Sequence, residues 1–182
     1  MKRVLLVIDV QNEYFTGKMP ITHPDFSILN IIHAIDIANA HRFPVIFIQH
    51  TNMGQNADTF IKGTREWEIH NKIRDKKHLC EIEKNFPGSF TGTNLEEILK
   101  QQGCDTVVIS GYMSSMCCDT TARQAYHRGY NVEFLADATG SIGISNEAGK
   151  ATAEELHRST LVIQAMRFSR VINLIEWEKS LV

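Results

Sequence analysis

The chain has 182 residues, 43% of them hydrophobic and 22% charged, with a formal net charge of −2. That length fits one compact domain with a sizeable core, and the near-neutral charge lacks the basic footprint of a nucleic-acid partner. No apolar run approaches the roughly 20 residues that span a bilayer, so no membrane partner is expected.

The chain opens MKRVLLVIDVQNEYF. Its basic start and short apolar run have the outline of a signal peptide, but the run ends in Asp9 with no small-residue cleavage site. VLLVIDV instead reads as a strand covered on both faces, and a cytoplasmic protein is expected. SILNIIHAIDIANAH (Ser27 to His41) places Ile28, Ile31, Ile32, Ile35 and Ala38 at helical spacing. PVIFIQH is a second strand. A polar stretch at about 51–79 exceeds an ordinary βα connection and reads as an insertion or lid; within it, TREWEIHNKI could form a short helix.

CEIEK reads as the third strand and NFPGSFTGT as a loop. Thr93 to Glu96 has the form of a capping box that opens the next helix. DTVVISGY is the fourth strand, the segment from Ser114 to Tyr130 supplies a helix, and NVEFLAD is the fifth strand. From Asn146 to Met166 the pattern is mostly helical, and RVINLI is a sixth strand. This alternation predicts an α/β fold over residues 1–182: a single domain, doubly wound, with a mainly parallel sheet of about six strands. Ligands in such sheets sit beyond the carboxyl ends of the strands. That rule points to Asp9, His50, Lys84 and the turn from Gly111 to Cys117.

Taken alone, Asp9 reads as a turn or N-cap aspartate and Lys84 as a solvated edge lysine. Their common placement with a thiol at one end of one sheet raises both. The four cysteines form no CxxC pair or metal-finger spacing, and Cys80 and Cys104 read as reduced, buried small hydrophobes. Cys118, Ala122, Ala125 and Gly129 form a small-residue packing stripe. Cys117 is rotated about 100° from it, beside Thr121, Gln124 and Arg128. It is expected at the first turn of the helix, where the dipole and free N–H groups would lower its pKa. Thiol, carboxylate and ammonium make a coherent hydrolase set.

Three separated motifs, VIDVQNEYF, KNFPGSFTGTNL and GYMSSMCCDTTARQAYHRGYNVEFLADA, make the chain resemble the isochorismatase-like cysteine hydrolases, which include nicotinamidases and other small-amide hydrolases. The resemblance implies a catalytic triad of Asp9, Lys84 and Cys117. It also implies a cis peptide at Tyr112–Met113 and an oxyanion hole from the backbone N–H groups of Met113 and Cys117. Gln11 would brace the site, and Gln11, Tyr14 and Tyr112 are candidate substrate-binding residues, Tyr14 and Phe15 reading equally as core aromatics.

Family nicotinamidases carry a metal site built on Asp-x-His, which is missing here. His50 and His70 read as a polar strand end and a surface helix residue, so no metal or cofactor is expected. Isochorismate hydrolases lack the nucleophilic cysteine, which argues against enol-ether hydrolysis. The expected activity is cleavage of a C–N bond (amide, ureide or carbamoyl) of a small-molecule substrate through a thioacyl enzyme. The alternatives are a catalytically silent homologue acting in binding or assembly and, further off, a metal-dependent nicotinamidase. A nucleotide-binding module would want a glycine-rich first loop, whereas DVQNEYFTGKMPI has one glycine, Gly17. The resemblance also implies a homodimer or larger homo-oligomer, to which Trp67 and Trp177 could contribute.

Overall fold

The computed structural model describes residues 1–181. Six strands form one wholly parallel sheet: β1 (Arg3–Ile8), β2 (Val45–His50), β3 (Cys80–Lys84), β4 (Thr106–Tyr112), β5 (Asn131–Gly140) and β8 (Arg170–Ile172), in the order β3-β2-β1-β4-β5-β8. The chain builds outward from β1 in one direction and from β4 in the other. The β1/β4 boundary is therefore the switch point, where parallel sheets open a crevice at the strands' carboxyl ends.

Alternation along β1 explains the two cores. Leu5 and Val7 pack on one face with Ile31, Ala34, Ile35 and Ala38 of α1 (Ser27–Ala40). Val4, Leu6 and Ile8 pack on the other with Leu95 and Leu99 of α3 (Leu95–Gln102) and Ala122 and Ala125 of α4 (Asp119–His127). Both faces are covered, which is why the β1 sequence is a continuous apolar run rather than an alternating one.

Several elements depart from the sequence pattern. Helix α3 starts at Leu95 without a capping box. Thr93 Oγ1 instead donates to the Ser89 carbonyl at 2.6 Å, fastening the loop to itself. A full capping box is present at Thr152 and Glu155, opening α5 (Ala153–Ile163). The region read as helical from Asn146 contains a two-stranded hairpin, β6 (Ile144–Asn146) and β7 (Gly149–Ala151), with Gly149 at a positive φ in its turn. TREWEIHNKI yields one helical turn, α2 (Asn71–Arg74). RVINLI splits into β8 and the start of α6 (Leu174–Lys179), because Asp137 Oδ1 takes the Leu174 N–H at 2.8 Å.

Trp177 is not available to a partner subunit: it is fully buried on α6, with its indole N–H donated to Glu133 at 2.8 Å. Among the described residues, no helix is long and apolar enough to cross a membrane.

Candidate active site

Strand ends bring the chemistry together. Asp9 follows β1 with a positive φ of 52°, a left-handed conformation that aspartate tolerates better than most residues. Lys84 is the last residue of β3, two strands away from β1. Cys117 lies in a wide π-type turn, Ser114–Cys118, between β4 and α4. At Gly111, φ is +107° and a Cβ would collide with the Ile8 carbonyl of β1. The missing side chain lets β4 approach β1 just before that turn. The Tyr112–Met113 peptide is cis.

The three side chains meet in a nearly closed space. Asp9, Lys84 and Cys117 are 0%, 1% and 6% exposed. Lys84 Nζ lies 2.8 Å from Asp9 Oδ2 and 3.4 Å from Cys117 Sγ. Its third neighbour is His50 Nδ1, also at 3.4 Å. The ammonium thus faces a carboxylate, a sulfur and an imidazole, one for each of its donors. The Lys84–Asp9 contact is an ion pair by distance, and neither Asp9 oxygen accepts a well-aligned hydrogen bond among the described residues. A buried carboxylate with free acceptor capacity can take up a proton. That capacity is the unusual feature of the site.

Electrostatics set the resting state. Burial works to lower the Lys84 pKa, but Asp9 and Cys117 outweigh it and the net shift is upward, so the ammonium persists. Burial, reinforced by the Asp9 carboxylate, pushes the Cys117 thiol up against the opposing pull of Lys84. This corrects the expectation of a depressed thiol pKa. The Ser114–Cys118 segment is π-helical and runs unbroken into α4, so Cys117 does lie in the first helical turn, but desolvation and Asp9 outweigh that placement. Cys118 is fully enclosed, and burial raises its thiol further. Burial and the charge of Lys84 lower the His50 pKa, leaving a neutral ring toward the ammonium.

Two sets of tethers hold this geometry. The loop after Lys84 is fastened to α4: Thr121 Oγ1 accepts from the Ser89 N–H at 3.0 Å, and Gln124 Oε1 from the Phe90 N–H at 3.2 Å. The helix face beside Cys117 therefore grips the lysine loop. Gln11 clamps the other side. Its Nε2 donates to the His50 and Trp67 carbonyls at 2.9 and 2.7 Å, and its Oε1 accepts the His50 N–H at 2.8 Å. The amide is spent on backbone, so Gln11 has no free N–H donor to offer a substrate.

Tyr14 and Tyr112 are buried 5.5 Å apart, edge to face, with Phe60 packed on Tyr14 at 5.2 Å. The Tyr112 hydroxyl pairs with Ser27 Oγ at 3.0 Å. Both tyrosines, with Phe15, line a cavity of about 240 Å³ bounded by Pro20, Pro24 and Phe26. Residues 51–79 fold back over the Asn12–Tyr14 turn, where Asn12 and Glu13 N–H groups donate to Glu68 and Glu66 carbonyls. Three cations of that segment are already paired: Lys62 with Glu83, Arg74 with Glu68 and Lys76 with Asp36.

The donor set does not fit a nicotinamidase-type metal. His50 Nδ1 lies 3.4 Å from the Lys84 ammonium and His70 Nδ1 accepts the Lys72 N–H at 3.3 Å, so each ring could offer a metal only its Nε2. Among the described residues, no three His, Cys, Asp or Glu side chains cluster as ligands. The sequence reading missed the contact of His50 with Lys84, since a histidine ending a strand carries no local signal of what the next strand will place beside it. It also missed His157 of α5, which lies against the turn of Cys117.

Comparison with known proteins agrees with this fold. The isochorismatase domain model matches residues 3–165. The secreted isochorismatase effector Isc1 of Verticillium dahliae is 37% identical over 75% of this chain and 72% of its own length. Nicotinamidase 3 of Arabidopsis thaliana is 32% identical over 97% of this chain and 87% of its own. A crystal structure from Burkholderia xenovorans LB400, of a protein assigned to the isochorismatases, superposes with a TM-score of 0.95 at 40% identity, covering 98% of this chain and 86% of that one. The matched span runs from β1 to the end of α5 and takes in every strand that delivers Asp9, Lys84 and Cys117: the chain belongs to the isochorismatase family, among its isochorismatase-like cysteine hydrolases.

Proposed function

We propose that the protein is a cysteine amidohydrolase that cleaves a C–N bond of a small amide, ureide or carbamoyl compound through a thioacyl enzyme. The carrying observation is the Lys84 ammonium lying 2.8 Å from Asp9 Oδ2 and 3.4 Å from Cys117 Sγ in a buried site. In this reading the resting thiol is neutral. As Sγ attacks the carbonyl carbon, its proton passes to Asp9, and the C=O π pair moves onto oxygen. The oxyanion is held by the backbone N–H groups of Met113 and Cys117. Collapse breaks the C–N bond while Asp9 returns the proton to the leaving nitrogen. Water, deprotonated by Asp9, then adds to the thioester. Its collapse releases the acid, and the proton returns to sulfur. Lys84 stays charged throughout and stabilises the anion that forms on either partner.

Residues 51–79 act as the lid over this site, and the aromatic wall of Tyr14 and Tyr112 contacts the acyl part of the substrate. The nicotinamidase relative supports an amide as the bond cleaved; the mismatch of the metal donors turns the substrate away from nicotinamide itself. Self-association belongs to the same reading, and light scattering measures it.

The test is a screen of small amides, ureides and carbamoyl compounds for ammonia or amine release, with intact-mass detection of the acyl enzyme. Cys117→Ala is expected to abolish both, and Asp9→Asn to lower turnover by about 10²-fold or more, because an amide cannot accept and return the proton. Undiminished turnover in Cys117→Ala would sink the assignment.

A further inference from the structure

His157 is a buried titratable side chain with no part in the chemistry above. It lies on α5, and its Nδ1 is 2.9 Å from Ser114 Oγ. Ser114 opens the Ser114–Cys118 turn, three residues before Cys117. The Ala136 carbonyl lies beside the ring and works against the downward shift. Nδ1 and the Ser114 hydroxyl share one hydrogen bond, its direction set by the ring tautomer. Burial and the neighbouring His23, whose ring centroid lies 5.4 Å away, push the His157 pKa down to about 4, so the ring is neutral.

The same helix holds the other end of the nucleophile segment. Gln164, just past α5 and fully buried, donates from Nε2 to Asp119 Oδ1 at 2.7 Å. The turn is therefore splinted from both sides: Ser114 ahead of Cys117 and Asp119 behind it. The turn is a single π-helical one, closed by bonds such as Cys118 N–H to the Met113 carbonyl at 3.1 Å, a rarer form than the α-helix that follows it. The two outside tethers hold its ends.

We propose that His157 is a positioning residue, whose bond to the Ser114 hydroxyl fixes the turn that aims Cys117 Sγ at Lys84 and Asp9. It touches neither substrate nor sulfur and acts through Ser114. A leucine or phenylalanine could fill the same buried volume on α5, so the imidazole is kept for its paired acceptor and donor. This inference rests on Cys117 being the nucleophile, but its first readout does not depend on turnover.

The experiment compares His157→Leu, His157→Asn and Ser114→Ala with the unmodified protein. The readouts are the rate of iodoacetamide labelling mapped to Cys117, kcat and KM for any substrate found, and thermal unfolding. Asparagine carries its amide near the position of Nδ1 and can still accept from Ser114. His157→Leu should change the Cys117 labelling rate and lower kcat by about tenfold or more, with KM within about twofold, because a displaced nucleophile costs the chemical step more than binding. Ser114→Ala should match it, and adding His157→Leu to Ser114→Ala should produce no further loss. His157→Asn should recover most of the rate. Labelling and kcat unchanged in a folded His157→Leu would overturn the proposal. So would an asparagine variant no better than leucine, or losses that simply add in the double variant. If Cys117→Ala keeps full turnover, the catalytic reading fails on its own, while the labelling series still reports whether His157 orients that turn.

Discussion

Two adjacent thiols in the chain have different surroundings. Cys117 has the Lys84 ammonium 3.4 Å from its sulfur, while Cys118 is fully buried in the apolar layer with Ala122 and Ala125. Burial raises the pKa of both, and the Asp9 carboxylate adds to the rise at Cys117. Alkylation of Cys117 by iodoacetamide should therefore be slow at neutral pH and should quicken as pH climbs past the ordinary thiol value of about 8.5. Cys118 should stay unlabelled until the protein unfolds. Its alanine variant should keep the chemistry and lose stability on the order of 1 kcal/mol, the usual scale for a small buried group. The assay is mass-spectrometric mapping of labelling rates across the pH series. A rate plateau well below pH 8 would mean a depressed thiolate, contrary to this electrostatic reading. The order of the two residues was legible in the sequence because helical spacing separates the Cys118 stripe from Cys117. The direction of the Cys117 shift was not, because it depends on how far the turn is desolvated and on how close Asp9 lies, neither of which spacing encodes.

Among the elements, β5 and α6 show what the opposite end of the sheet contributes. Glu133 of β5 receives two bonds from Arg3 of β1, at 2.8 and 2.9 Å, and a third from the Trp177 indole of α6. Burial alone would raise the Glu133 pKa, but Arg3 and Trp177 outweigh it and the net shift is downward. The cluster ties the first strand, a late strand and the last helix together, at the amino end of β1 and away from Asp9. Glu133→Ala strips the buried Arg3 of its partner. The expected loss is about 3–5 kcal/mol, as for one broken member of a buried ion pair. Urea unfolding measures it, and Cys117 labelling in the folded variant should keep its rate, since the site lies at the other end of the strands. A loss below about 1 kcal/mol would place the pair in the weak class of surface bridges. Nothing in VEFLAD announced this role, since a glutamate inside an apolar strand shows its partner only once residues 130 apart in the chain are brought into one sheet. The strands themselves were legible because continuous apolar runs bounded by turns have few other readings. The β6–β7 hairpin was not, being three residues per strand and without alternation.

At the scale of the whole molecule, the sheet order places carboxylate, ammonium and thiol at one end because the chain winds away from β1 in one direction and from β4 in the other. That much follows from alternating strands and helices, and it is why Asp9, Lys84 and Cys117 could be singled out from the sequence. Of the two histidines beside the site, His50 was marked by its place at a strand end, while His157 was not, since its contact is with Ser114, 43 residues away in the chain. They leave a signature in the stability of the entire fold. His157 is held neutral, with its pKa pushed from 6.5 to about 4 by burial and by His23. His50 is shifted in the same direction by burial and Lys84. Below about pH 6.5 the unfolded chain takes up protons at these positions and the folded chain does not, so stability is full above that pH and falls as pH drops toward 4. For His157 alone the loss approaches roughly 3 kcal/mol at the low end of the window. The carboxylates with lowered values, Glu133 among them, give a loss of the same sign, which sets in about one unit above the ordinary glutamate value of 4.5. Urea midpoints between pH 7 and pH 4.5 share this carboxylate loss in the unmodified protein and in His157→Asn, so the difference between the two isolates the histidine. The unmodified protein should lose stability steadily across that range, and His157→Asn, with nothing to titrate on α5 at this position, should show a flatter profile. An unmodified protein equally stable at pH 7 and pH 4.5, or an asparagine variant with an unchanged slope, would show that the ring takes up its proton without cost in the fold. His157 would then be more open to solvent than its packing against Ser114 and His23 implies.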